Sequence, residues 1–341
     1  MSDKPTVVVT CPVDEQQLSA LEDRYDVRYA VTPNRRISLA ETGIDELLAS
    51  ARVLVTETDM VDPATLDAAP NLELVVSCRA APVNVDLDAC AQRGIPVCTT
   101  PGRNADSTAD LTFALILDAT RRVTESSMWM RRGDWKSDDS GEPYRRFKGP
   151  QLTGRTLGVV GGGAVGRRVG QRGLGFGMNV LVYDPFLTQE QLPEGMTLAS
   201  LDDLIAGSDI VTLHVPLMKE TIGLIDSARI ARMRKGAYLV NASRAAVVDE
   251  AALVDALRSG HLAGAGLDVF AEEPPTVQNP LLQLDNVVVT PHIAGASYDV
   301  VRSQTVMVAE ILTAFAGDED LPYKARTDLV DFRKVAPGQS A

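Results

Sequence analysis

The chain has 341 residues, 45% of them hydrophobic, with 46 acidic against 33 basic side chains and a formal net charge of -13. That length exceeds one core of ordinary size, so two domains are expected. The acidic balance argues against a nucleic-acid partner, because phosphate binding relies on clustered Lys and Arg, and no apolar run approaches membrane-spanning length. The cysteines, Cys11, Cys78, Cys90 and Cys98, form no C-x-x-C pair. With only three histidines, no metal site is expected. Free thiols and the lack of a signal-peptide layout point to the cytoplasm.

In chain order, Thr6 to Thr10 reads as a buried strand and Asp14 to Asp23 as a helix with Leu18 and Leu21 on one face. Arg52 to Thr56, Leu72 to Ser77 and Ile95 to Cys98 read as further strands. Strands separated by helices imply parallel pairing with crossovers. A helical pattern runs from about Asn104 to Arg132, then a polar connection from Gly133 to Gly154. A second α/β run opens at Arg155, with strands at Thr156 to Val160, Val180 to Tyr183, Ile210 to Leu213, Ala237 to Val240, Ala263 to Leu267 and Val287 to Val289. Helices fit between them, including Glu250 to Ser259. After Pro291 only one long helix remains, about Ser297 to Ala316, too little for a domain of its own. It is expected to pack back on the first domain. The fold class is therefore α/β with two Rossmann-like, doubly wound parallel sheets. A first domain, residues 1–102 and 296–341, is split by an inserted second domain, 103–295.

Gly161-Gly162-Gly163-Ala164-Val165-Gly166 matches G-x-G-x-x-G directly after a strand. Gly161 allows the tight turn, Gly163 lets backbone approach a pyrophosphate, and Gly166 permits close packing of helix on strand. The helix N-terminus then offers N–H groups and positive dipole to phosphates. The next strand ends in Asp184, whose carboxylate suits the ribose hydroxyls of NAD and repels the 2′-phosphate of NADP.

Three further segments follow strand ends. Asn241-Ala242-Ser243-Arg244 follows Val240, Asp268 to Pro274 follows Leu267, and Thr290 to Gly295 follows Val289. Ligands of open α/β sheets bind outside those ends, so Arg244, a carboxylate and His292 converge there. Glu273 and Glu272 both qualify as the carboxylate. A neutral imidazole takes a proton from an alcohol near pH 7, and a nearby carboxylate stabilises the imidazolium. His214 is read as structural and His261 as solvent-facing.

The ordered motifs RGIPVCTTPGRNADSTAD (93–110), TGRTLGVVGGGAVGR (153–167), DIVTLHVPL (209–217), LVNASRAAVVDEAALVDAL (239–257), GAGLDVFAEEPP (264–275) and NVVVTPHIAG (286–295) carry a resemblance. Together they resemble the D-isomer-specific 2-hydroxyacid dehydrogenases, from about Leu72 to Ser297. The resemblance implies an NAD-dependent enzyme acting on a small 2-hydroxy or 2-keto acid, phosphoglycerate dehydrogenase-like but with no C-terminal regulatory domain. It also implies a homodimer formed through the cofactor domains, and makes the split domain the substrate domain. Arg244 falls on the arginine that holds the substrate carboxylate, His292 on the acid/base histidine and Glu273 on its carboxylate partner. Asp268 falls on the aspartate near the nicotinamide carboxamide. Cofactor contacts carry over to Ala164, Val165, Asp184, Val215, Ala242, Ser243 and Gly295, and Arg244 and His292 border cofactor and substrate alike. The substrate loop departs from the glycine-rich pattern of many relatives. It reads Arg79-Ala80-Ala81-Pro82, with one amide donor removed by the proline and a cation added by Arg79. Two other functions of the same fold compete: a nucleotide-sensing corepressor, and a formate or phosphite dehydrogenase. Glu273, where formate enzymes carry glutamine, argues against formate.

Overall fold

A computed structural model describes residues 4–31, 36–136 and 138–326. The chain divides into two compact units, with boundaries at Arg103/Asn104 and Ala296/Ser297.

In the first unit, β1 (Thr6–Val9), β2 (Asp26–Tyr29), β3 (Ala51–Thr56), β4 (Leu74–Ser77) and β5 (Val97–Thr99) form a parallel sheet of order β2-β1-β3-β4-β5. Successive side chains of a strand face opposite ways, and here both faces are buried, which explains runs as apolar as Val7-Val8-Val9. Val7, Val9, Val53, Val55 and Val76 pack against Leu18 and against Val308, Ile311 and Leu312 of the helix Tyr298–Ala316. That C-terminal helix thus completes the first unit's core. On the other face Val8, Leu54 and Val75 meet Leu39, Leu48 and Leu66. Leu312 is fully buried, and its loss to alanine costs about 2–5 kcal/mol. The edge of β5 is covered: Thr99 N–H donates to Tyr323 O at 2.8 Å and Ala325 N–H to Val97 O at 2.9 Å. An uncovered edge would present unpaired backbone groups.

The expected helix from Asp14 to Asp23 is shorter. A single α-turn, Glu15–Leu18, starts on the Asp14 carboxylate, which accepts Gln17 N–H, and passes into a 3-10 turn, Ser19–Leu21.

In the second unit, β6 (Thr156–Val160), β7 (Asn179–Tyr183), β8 (Met196–Leu198), β9 (Ile210–Leu213), β10 (Ala237–Asn241), β11 (Leu262–Leu267) and β12 (Val287–Val289) form a parallel sheet of order β12-β11-β10-β9-β6-β7-β8. Ala109, Phe113, Ile116 and Val169 fill one side with Leu157, Val159 and Val180, while Leu204, Leu239, Leu253 and Leu257 fill the other. The helices Ala105–Arg121 and Ala164–Gly175 share the first side and are tied by Arg168–Asp106 and Arg172–Asp110 ion pairs, both at 2.7 Å. The helical pattern expected to continue to Arg132 breaks at Arg122, which is left-handed (φ 53°). A new helix, Val123–Arg131, then begins. The Asp118 carboxylate stabilises the break by accepting Thr124 N–H at 2.7 Å. No helix among the described residues is long and apolar enough to cross a membrane.

Candidate active site

The strand order of the second unit reverses between β6 and β9, and such a switch point opens a crevice at the strands' carboxyl ends. The glycine loop leaves β6 there. Gly161 has φ 103°, and a Cβ on it would stand 2.6 Å from His214 O; one on Gly166 would stand 1.8 Å from Gly161 O. Both positions therefore exclude any side chain. Gly163 differs: it is exposed, and a Cβ would meet nothing within 4 Å. Gly163 caps the helix Ala164–Gly175 without any side-chain hydrogen bond, so the first-turn N–H groups at Ala164, Val165 and Gly166 remain for a ligand. Asp184 follows β7; its Oδ2 accepts Gly162 N–H at 2.9 Å and its Oδ1 accepts Phe186 N–H at 3.0 Å. Each oxygen keeps a further lone pair, enough for a ribose diol. Amide donors, an open glycine and a carboxylate one strand away fit NAD.

The wall opposite Gly161 is His214-Val215, at the end of β9; Val215 Cγ1 lies 3.1 Å from where the Gly161 Cβ would be. Burial lowers the His214 imidazole to about 3, so it is neutral at pH 7. Its Nε2 lies 2.9 Å from Thr212 Oγ1. His261, expected to face solvent, is partly buried, with its Nε2 3.1 Å from Ile230 O.

Arg244 follows β10 on a turn built by Asn241, which is 2% exposed. Asn241 Nδ2 donates to Arg244 O at 2.9 Å, and its Oδ1 accepts from Ser243 N and Oγ at 3.0 and 2.8 Å. Ala242 and Ser243 are buried within this turn. The guanidinium donates through Nη1 to Ser243 O at 2.6 Å. Burial pulls Arg244 below its ordinary value, and the Glu273 charge opposes that.

Asp268, after β11, is fully buried. Its Oδ1 accepts Thr290 Oγ1 at 2.6 Å and Ile293 N–H at 2.9 Å, and its Oδ2 accepts Ala294 N–H at 2.9 Å. One carboxylate thereby ties down the loop after β12 at three points. His292 lies inside that loop in a left-handed backbone conformation, φ 56°, which costs a side-chain-bearing residue about 1–2 kcal/mol. The three bonds to Asp268 flank the strained residue and hold it. Gly295, just beyond, closes against Asn104, whose Nδ2 would stand 3.0 Å from a Cβ there.

His292 Nδ1 lies 2.8 Å from Glu273 Oε2, while Glu273 Oε1 accepts Phe270 N–H at 3.2 Å. Burial alone would raise the Glu273 carboxyl. The His292 bond, the Phe270 amide and the charges of His292 and Arg244 outweigh it and hold the group below its ordinary value. Glu273 is thus an anion at neutral pH, and it, rather than Glu272, meets the imidazole.

Arg244, Asp268, Glu273 and His292 therefore gather at the carboxyl ends of β10, β11 and β12. Arg79, Ala80 and Ala81 lie in the first unit, on the turn after β4, where Arg79 O accepts Thr100 N–H at 2.9 Å and Ala81 O accepts Val83 N–H at 2.9 Å. The supporting roles of Asn241 and Thr290 escape a reading by residue type. Their signal is that buried polar groups at strand ends need partners.

Residues 113–294 match the family model for the D-isomer specific 2-hydroxyacid dehydrogenase, NAD binding domain. The chain is 38% identical over 334 residues to a glyoxylate reductase of Korarchaeum cryptofilum (strain OPF8), covering 97% of this chain and 98% of that one. It is 40% identical over 278 residues to a D-3-phosphoglycerate dehydrogenase of Archaeoglobus fulgidus, covering 81% of this chain and 51% of that one. Among solved structures, the TT0316 protein from Thermus thermophilus matches with a TM-score of 0.77 at 35% identity, over 94% of this chain and 100% of that one. With its open glycine loop, its Asp184 and its histidine–glutamate pair, this chain belongs to the D-isomer specific 2-hydroxyacid dehydrogenases, NAD-dependent oxidoreductases.

Proposed function

We propose that this enzyme interconverts a small D-2-hydroxy acid and its 2-keto acid, with His292 moving the proton, Glu273 steering it and Arg244 holding the substrate carboxylate. The observation that carries the reading is the 2.8 Å contact between His292 Nδ1 and Glu273 Oε2. With Nδ1 engaged, Nε2 is the ring nitrogen that exchanges a proton with the substrate oxygen. In oxidation Nε2 accepts the hydroxyl proton and Glu273 stabilises the imidazolium; in reduction Nε2 returns it. NAD, when bound, accepts or returns the hydride at the substrate's C2. A planar guanidinium takes a carboxylate in two parallel bonds, which fixes the C2 face.

A relative matched end to end is named a glyoxylate reductase, which favours short, unbranched keto acids. Arg79, on the first unit's turn, is assigned to a second anionic group when the substrate carries one, such as a phosphate or a distal carboxylate. A homodimer through the second unit is assigned to the helix Val123–Arg131, whose Val123 and Met130 lie on one side and are each about half exposed. The experiment is a panel of 2-keto acids, from glyoxylate to phosphorylated three-carbon acids, with NADH and NADPH. Turnover of short keto acids with NADH, weak turnover with NADPH because of Asp184, and a loss of preference for dianionic acids in R79A are expected. NAD binding with no turnover of any keto acid would leave a nucleotide-sensing role instead, and equal use of both cofactors would remove Asp184 from its assignment.

A further inference from the structure

Three arginines lie close together on the helix Ala164–Gly175: Arg167, Arg168 and Arg172. Arg168 and Arg172 pair with Asp106 and Asp110 on the neighbouring helix. Arg167 is different. It forms no ion pair among the described residues; instead its Nε donates to Gly162 O at 2.9 Å. The side chain therefore folds back along its own helix onto the glycine loop, where Gly162 N–H already donates to Asp184 Oδ2 at 2.9 Å. Gly162 is gripped at both ends, by a carboxylate at its N–H and by a guanidinium at its carbonyl.

Peptide planarity turns that grip into an orientation. In a trans peptide the carbonyl of one residue and the N–H of the next point in opposite directions. Fixing Gly162 C=O toward Arg167 therefore fixes Gly163 N–H toward the far side. Gly163 needs such fixing: it is exposed and a Cβ would meet nothing near it, so its neighbours do not immobilise it sterically. Donation by a cation to the carbonyl also polarises the peptide and strengthens its N–H as a donor.

We propose that Arg167 is a positioning residue for cofactor phosphate, clamping the Gly162–Gly163 peptide so that Gly163 N–H is presented to the pyrophosphate of NAD. The proposal rests on the reading that the glycine loop holds that pyrophosphate. It does not require Arg167 to touch the cofactor.

The test is equilibrium binding of NAD, ADP and adenosine to the full-length enzyme by calorimetry, beside the melting temperature of the ligand-free protein. In R167M, NAD and ADP should bind about tenfold more weakly, the scale of one charge-assisted bond, while adenosine changes less than about twofold. The ligand-free Tm should stay within about 2 °C, as for a surface substitution. R167K, which keeps a cation able to reach one carbonyl, should recover most of the ADP affinity. An R167M enzyme that keeps the wild-type ratio of ADP to adenosine affinity overturns the proposal. So does one that loses both ligands alike together with its Tm, because a scaffold role would then account for the loss. A wild-type enzyme with no preference for ADP over adenosine would instead remove the phosphate reading of the loop itself.

Discussion

The two units open in the same way, with a strand that passes through a turn into a helix beside the switch in strand order, yet only one opening is built for an anion. In the first unit, β1 runs through Thr10-Cys11-Pro12-Val13-Asp14 into a four-residue helix, and the Asp14 carboxylate takes the Gln17 N–H. In the second, β6 runs through three glycines into a twelve-residue helix with no side-chain cap. The helix terminus is an anion site wherever its N–H groups are left over. Asp14 occupies one with an internal carboxylate; the glycines keep the other clear. Topology supplies two corresponding places, and the glycine turn with its longer, uncapped helix makes the second of them the binder.

The comparison breaks most visibly at Gly166. A Cβ there would stand 1.8 Å from Gly161 O, a backbone atom that moves only with the loop. Gly166→Ala should weaken NAD binding by on the order of 100-fold and lower Tm by several degrees, since overpacking costs about 1–3 kcal/mol. Titration and calorimetry read both effects, and unchanged NAD affinity would mean that the loop's shape does not set binding. A smaller, directional effect is expected at Glu273. Its carboxyl is held below its ordinary value against burial, so it is anionic across the working pH range and holds His292 Nδ1 at 2.8 Å. Gln removes that charge. E273Q should therefore lower kcat/KM for keto-acid reduction by about tenfold, with NAD affinity unchanged. An unaltered kcat/KM would detach Glu273 from His292. The smallest effect belongs to the capped opening: Asp14→Ala should cost about 1 kcal/mol, a fall in Tm of roughly 2–4 °C, with NAD affinity unchanged. A change in NAD affinity would show that the first unit's cap is not merely structural.

Much of this contrast is legible in the residues. Gly161 to Gly166 after an apolar strand, against Thr10 to Asp14 after another, already separates a vacant helix terminus from a filled one. The strands that sequence reasoning overlooked are β2 and β8, both at sheet edges. Asp-Val-Arg-Tyr and Met-Thr-Leu do alternate polar and apolar residues, but over only four and three positions, too few for the alternation to stand out from the flanking polar chain. The break at Arg122 carries no Gly or Pro; it is stabilised by Asp118 reaching across the break to Thr124, an interaction that no propensity reports. At the site, residue types and strand-end positions single out Arg244 and His292 but leave Glu272 and Glu273 level. One residue of difference decides which carboxylate meets the ring, and that depends on the path of the turn. Arg167 was invisible for the same reason: its role depends on the direction of a side chain along its own helix.

The left-handed backbone at His292 has a consequence for what this position can become. Outside glycine, that conformation is tolerated best by Asn, Asp and His, and is hostile to β-branched and bulky residues. The corner thus admits a very short alphabet. Asparagine removes the ring while sparing the loop, whereas alanine alters chemistry and backbone together and confuses the two. Among the residues that fit, only histidine and aspartate exchange protons in the required way, and an aspartate would set one carboxylate against Glu273. The corner therefore holds the enzyme to histidine more firmly than the reaction alone would, and redesign of its acid–base chemistry has to begin with the Asp268 anchors rather than with the ring.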